Sequence, residues 1–207
     1  RRCLVGSEMC IRDRSFIEKS IESNDAWNLY AQQVLLGSLK LPLIPDEIID
    51  RLPSFQQYLK LVIREDLPFN FDAWDGYPAE RKRLLKAIGS KTQKNIFVAG
   101  DTHNCWVSNI KDEESFRGVE LGTPSVTSPG ASENFAGLIP ATDLEKAVVN
   151  KNKNLKWTNL SNRGYLTINF NPGFADAEFK GVNNIASKDY RSMTVSYTHL
   201  RAHETSP

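Results

Sequence analysis

Apolar residues recur at helical spacing through the early part of the chain, where Trp27, Tyr30, Ala31, Val34, Leu35 and Leu39 predict a helix within Ser15–Lys40, with Gly37 its one weak point. Pro42, Pro45 and Pro53 then cut the chain into short pieces, since proline lacks an amide donor and clashes with a preceding helical turn. A helical period resumes over Phe55–Ile63, and the whole stretch reads as an insertion or a cover over a site. Pro78, the stripe of Leu84, Leu85 and Ile88, and Gly89 mark a further helix with proline in its first turn and glycine at its stop. Asn95–Gly100 (NIFVAG) is a continuous apolar run too short for a helix, so it predicts an interior strand, flanked by strands near Trp106–Ile110 and Gly164–Phe170. GVELGT is another strand candidate, and Thr142 with Glu145 makes a capping-box pattern that opens a helix through Val149. Helices first and strands later, with a helix–strand unit between, predict an α/β layered fold.

Composition changes this picture little. The 207 residues are 40% apolar, enough for a real core, and a net charge of +1 supplies no bulk field to hold nucleic acid or an anionic membrane. No stretch reaches the roughly 18 apolar residues that a membrane span requires.

The ends change it more. CLVGSEMCIRD at the front and VSYTHLRAHET at the back look like translated sequencing-adaptor read-through of the kind that recurs at the ends of metagenomic gene predictions. The expected organisation is therefore a foreign segment over 1–14, native sequence over 15–193 and a second foreign segment over 194–207, both ends packing poorly and adding nothing to the core. Setting the ends aside turns the net charge to −1 and removes Cys3, Cys10, His199 and His203. Cys105 and His103 are left, two residues apart in one motif, which excludes a disulfide framework within the native part.

That motif is N-I-F-V-A-G-D-T-H-N-C-W. A buried strand ending in Gly100 lets the chain turn sharply, so Asp101 and His103 project from the loop beyond the strand's carboxyl end, where open α/β sheets place ligands. Carboxylate and imidazole together suit zinc, iron or manganese better than a soft cation. The spacing alone equally fits an Asp–His pair that braces a turn.

G-D-T-H-N-C-W resembles the last metal motif of PhoD-like alkaline phosphatases within the calcineurin-like metallophosphoesterases. W-N-L-Y-A-Q-Q-V-L-L, D-A-W-D-G-Y-P-A-E-R, G-V-E-L-G-T-P-S-V-T-S-P-G and N-R-G-Y-L-T-I-N-F are similar to further stretches of that family, in the same order, over about Trp27 to Phe170. The resemblance implies the C-terminal part of a layered α/β/β/α sandwich, incomplete here, because the family's earlier aspartate and Asn-His motifs are expected before Trp27. It implies a phosphomonoesterase, also active on diesters, that uses two divalent or trivalent metal ions, iron with calcium or zinc and manganese, on a small-molecule phosphate ester. Members of the family are often exported.

On this resemblance Asp101 and His103 are metal ligands and catalytic residues. Asp72, Trp74, Asp75, Tyr77, Arg81 and Asn104 are candidate substrate contacts, with Arg81 or Tyr77 donating to phosphate. Trp74 and Tyr77 packing the loop, Asp75 capping the helix near Pro78 and a solvated Arg81 stand as the plainer alternatives. Asn104, Ser125 and Ser128 fit a substrate contact or a brace for the loop equally. Cys105 reads as buried packing. Ser125 and Ser128 lack the G-x-S-x-G setting of a serine nucleophile. A non-catalytic binding or scaffold domain that keeps the fold is the competing function, and the 207-residue chain by itself is expected to be inactive.

Overall fold

A computed structural model describes residues 27–54, 57–88, 94–135 and 137–201. In chain order the elements are β1 (Asn28–Gln32), α1 (Asp46–Ile49), α2 (Leu59–Arg64), a 3-10 turn at Trp74–Gly76, α3 (Pro78–Ile88), β2 (Asn95–Ala99), β3 (Cys105–Asp112) and β4 (Ser115–Gly122). They continue as α4 (Ala131–Asn134), α5 (Ala141–Lys151), β5 (Leu155–Asn159), β6 (Arg163–Phe170), β7 (Phe174–Val182) and β8 (Ser192–Arg201).

The strands make a five-stranded sheet in the order β1-β2-β4-β3-β5 and a three-stranded antiparallel sheet in the order β6-β7-β8. β1, β2 and β4 are parallel, while β3 runs against both β4 and β5. One face of the larger sheet meets the smaller one through Ile96, Val107, Val119 and Leu121 against Ala175, Ala177 and Phe179. Its other face lies under helices: Phe97 and Ile110 pack on Leu84, Leu85 and Ile88 of α3, and Ala99 and Trp106 join Leu144 and Val148 of α5. Helix layer, sheet and second sheet thus stack as three of the four layers of an α/β/β/α sandwich.

Several sequence expectations hold and several do not. α3 begins at Pro78, with its leucine stripe buried, and β2 is an interior strand. Its neighbours, however, are β1 and β4 and not the two strands expected, because the chain first climbs through β3 and returns through β4 before lying parallel to β2. The strand read at Gly164–Phe170 belongs to the other sheet.

Asn28–Gln32 is a strand and not a helix. Asn28, Tyr30 and Gln32 occupy its helix-facing side, so an amide and aromatic row replaced the aliphatic alternation that marks a strand, and pairing with β2 overrode the helical spacing. Asn28 Nδ2 anchors that pairing by donating to Asn95 Oδ1 at 3.0 Å. The earlier part of the predicted helix, along with Phe55 and Gly89, lies outside the described residues. The resumed helix covers Leu59–Arg64.

The capping box is also corrected. Pro140 precedes α5 without a side-chain cap, and Glu145 instead accepts the Leu160 amide at 2.8 Å, tying the helix to the loop after β5. At the back, β8 pairs with β7 from Ser192 to Arg201, and Val195 packs on the core between the sheets. A segment expected to pack poorly therefore extends a sheet, since an open strand edge offers its backbone donors and acceptors to any extended chain. Residues 1–14 lie outside the described residues. Among the described residues no helix is long and apolar enough to cross a membrane.

Candidate active site

The parallel strands β1, β2 and β4 finish at Gln32, Ala99 and Gly122 on one edge of the sheet. Loops leaving that edge are stitched to each other: Gly100 N–H donates to the Gln33 carbonyl at 3.1 Å, and Thr123 N–H to the Ala99 carbonyl at 2.8 Å. Carboxyl edges of this kind are where open α/β sheets bind ligands.

In the loop after β2, Asp101 and His103 both adopt left-handed backbone conformations, with φ of 64° and 60°. Non-glycine residues enter that region at a cost of about 1–2 kcal/mol each, so two in three residues are held there by their surroundings. Thr102 supplies part of the restraint: its N–H reaches the Gly100 carbonyl at 2.7 Å and its hydroxyl accepts from Trp106 Nε1 at 2.6 Å. Asp101 is exposed and His103 partly so. His103 Nδ1 lies 3.0 Å from the Pro129 carbonyl. A carbonyl only accepts, so that contact places a proton on Nδ1 and leaves Nε2 as the ring nitrogen that binds a cation when the ring is neutral.

Asn104, which the sequence left between touching substrate and bracing the loop, is buried. Its Oδ1 accepts the Ala131 amide at 3.0 Å and its Nδ2 donates to the Thr102 carbonyl, so it braces the loop from below.

Three side chains of the D-A-W-D-G-Y-P-A-E-R stretch bond to the protein itself. Trp74 Nε1 donates to Gln32 Oε1 at 3.0 Å, Asp75 Oδ2 accepts the Leu39 amide at 2.9 Å, and Arg81 Nε donates to the Leu36 carbonyl at 2.7 Å. Trp74 thus holds the last residue of β1 while Asp75 and Arg81 grip the loop after it, and the bond from Asp75 runs to that loop and not to an amide of α3. Gly76 is required there, because a Cβ would fall 1.8 Å from the Phe71 carbonyl oxygen. Asp72 and Tyr77 are exposed.

The loop after β1 has a further anchor that the sequence reading passed over. Glu120, fully buried in β4, accepts the Leu36 amide at 2.6 Å and the Gly37 amide at 2.8 Å. Burial pushes its carboxyl up to about 7, against the pull of those two amides and of Arg81. An acidic residue at a core-facing place in G-V-E-L-G-T was the available signal.

Cys105 is buried, and desolvation raises its thiol to about 12, so it stays protonated and packs as expected. Ser125 Oγ donates to the Ser128 carbonyl at 2.5 Å within its own loop. Among the described residues no cluster of three or more His, Cys, Asp or Glu could hold a metal ion, so Asp101 and His103 have no third such partner beside them.

Comparison with known proteins agrees with this fold. The family described as PhoD-like phosphatase matches residues 12–179. The chain is 32% identical over 186 residues to alkaline phosphatase D of Bacillus subtilis (strain 168), which covers 86% of this chain and 27% of that protein. A solved structure of PhoD is similar in fold, with a TM-score of 0.68 at 22% identity, over 92% of this chain and 33% of that one. The chain thus spans about a third or less of the length of these relatives.

Proposed function

Because the chain belongs to the PhoD-like phosphatase family, we propose that its parent protein is a metal-dependent phosphoester hydrolase acting on monoesters and also on diesters. The observation that carries this reading is the loop at the carboxyl edge, where Asp101 and His103 are both held in left-handed conformations and the Pro129 carbonyl orients the imidazole. A carboxylate and a neutral imidazole nitrogen fit a zinc, iron or manganese ion. When bound, a pair of such ions supplies the charge that clamps phosphate oxygens and acidifies a water.

The chain's own residues divide into two groups. Asp101 and His103 hold metal, while exposed Asp72 and Tyr77 are the members of the aromatic-acidic loop free to meet the phosphate ester. Trp74, Asp75, Arg81 and Asn104 hold the loops in place through the bonds described above. We further propose that the 207-residue chain does not turn over phosphate esters alone, because two donors do not fix a binuclear centre.

The test is turnover of p-nitrophenyl phosphate by the chain and by a form extended upstream. The extended form should hydrolyse it, lose that activity in EDTA and regain it with added metal, while the 207-residue chain stays at the blank rate. EDTA-resistant hydrolysis by the extended form would contradict metal dependence, and absence of any hydrolysis would favour the scaffold reading.

A further inference from the structure

Arg163 opens β6 in the smaller sheet, yet its guanidinium is buried and turned toward the loop beside His103. One amino group donates to the Ser161 carbonyl at 3.1 Å and the other pairs with Glu133, whose side chain is otherwise exposed. Among the described residues its Nε has no partner. The same Glu133 oxygen accepts the Gly130 amide at 2.9 Å, and the next amide, of Ala131, goes to Asn104. The turn at 129–131 is therefore gripped from both sides, by Asn104 of the metal loop and by a carboxylate that a buried charge from the second sheet holds still. It has little slack: a Cβ on Gly130 would lie 2.8 Å from Asn104 Oδ1 and 3.0 Å from the Leu160 carbonyl oxygen. The carbonyl just before Gly130 is that of Pro129, the partner of His103 Nδ1.

Burying a guanidinium against a partly solvated carboxylate is a poor way to gain stability, because desolvation offsets the attraction. What the pair does supply is a fixed direction for the peptide between Pro129 and Gly130. We propose that Arg163 is a positioning residue for His103: acting through Glu133 and the Gly130 amide, it sets the Pro129 carbonyl and so selects the imidazole tautomer protonated on Nδ1, with Nε2 presented as a ligand. The inference rests on the metal-centre reading only for what Nε2 then binds.

The tautomer can be read without metal. Long-range nitrogen–proton NMR of the 207-residue chain at about pH 8.5, with the His103 signal assigned through His103→Gln, should show the Nδ1–H form dominant. Arg163→Met and Glu133→Ala should each move at least half of the population to the Nε2–H form that free histidine favours, and Arg163→Lys should restore part of the original balance. In the upstream-extended form the same two substitutions should weaken zinc binding by about tenfold to a hundredfold, the usual effect of losing an outer-shell partner. A tautomer unchanged in both variants overturns the proposal. Should Arg163→Met not fold, Glu133→Ala decides alone, since it alters an exposed side chain. If the tautomer responds and the extended form binds no metal, the metal reading fails and the positioning role stands. If metal binds through His103 and the tautomer never moves, the reverse holds.

Discussion

Asp101 and His103 sit at φ of 64° and 60°, a region glycine enters freely and other residues do not. If Asp101 is there for a ligand and not for the turn, Asp101→Gly should leave the chain as stable or stabilise it by up to about 1 kcal/mol in urea unfolding, as the strain is relieved. A loss of that size would mean the carboxylate braces the turn. Glu120 gives a second residue-scale test. Its folded carboxyl titrates at about 7 and its ordinary value is 4.5, so between those pH values the folded chain keeps a proton that the unfolded chain has lost. Its contribution is full below 4.5 and falls away as pH rises to about 7, by roughly 3 kcal/mol. Glu145, also raised by burial, adds in the same direction. Unfolding free energies measured from pH 4.5 to 7.5 should therefore decline in the wild type, and Glu120→Gln should lose most of that slope. An unchanged slope would place its origin elsewhere.

Elements were legible where local pattern and final environment agree. β2 is apolar on both faces because it lies between β1 and β4 with layers on either side, and α3 shows its proline start and leucine stripe because it covers only one face of the sheet. β1 was not legible, since its partner β2 lies 67 residues away along the chain and the row it turns to the helices is Asn28, Tyr30 and Gln32. Glu145 satisfied a local rule on paper, yet the Leu160 amide offered it a tertiary partner. β8 makes the point most sharply, because strand pairing depends on backbone groups and is indifferent to where a segment came from. Deleting residues 194–207 should accordingly lower the thermal midpoint by several degrees and raise self-association through the bared edge of β7. Unchanged stability with no association would show that β8 adds nothing, as its adaptor-like sequence first suggested.

Across the whole molecule, the layers bring to one edge residues the sequence keeps far apart. The motif Gly100 to Cys105 could be picked out directly, since a buried strand, a glycine, a carboxylate and an imidazole stand side by side. What fixes its geometry could not: Pro129 is 26 residues from His103, and Arg163 reaches Glu133 from 30 residues away in the second sheet. Glu120 likewise holds a loop more than 80 residues earlier. For the same reason the bonds from Trp74, Asp75 and Arg81 to the end of β1 and the loop after it, 36 to 45 residues earlier, could not be read from the sequence. The central claim is that this edge completes a metal centre through His103. Its most direct test is metal content and turnover of the upstream-extended protein before and after His103→Ala, with circular dichroism confirming the fold. The account predicts that the variant loses bound metal and at least a hundredfold in p-nitrophenyl phosphate hydrolysis; a folded variant that keeps both its metal and its rate would contradict it.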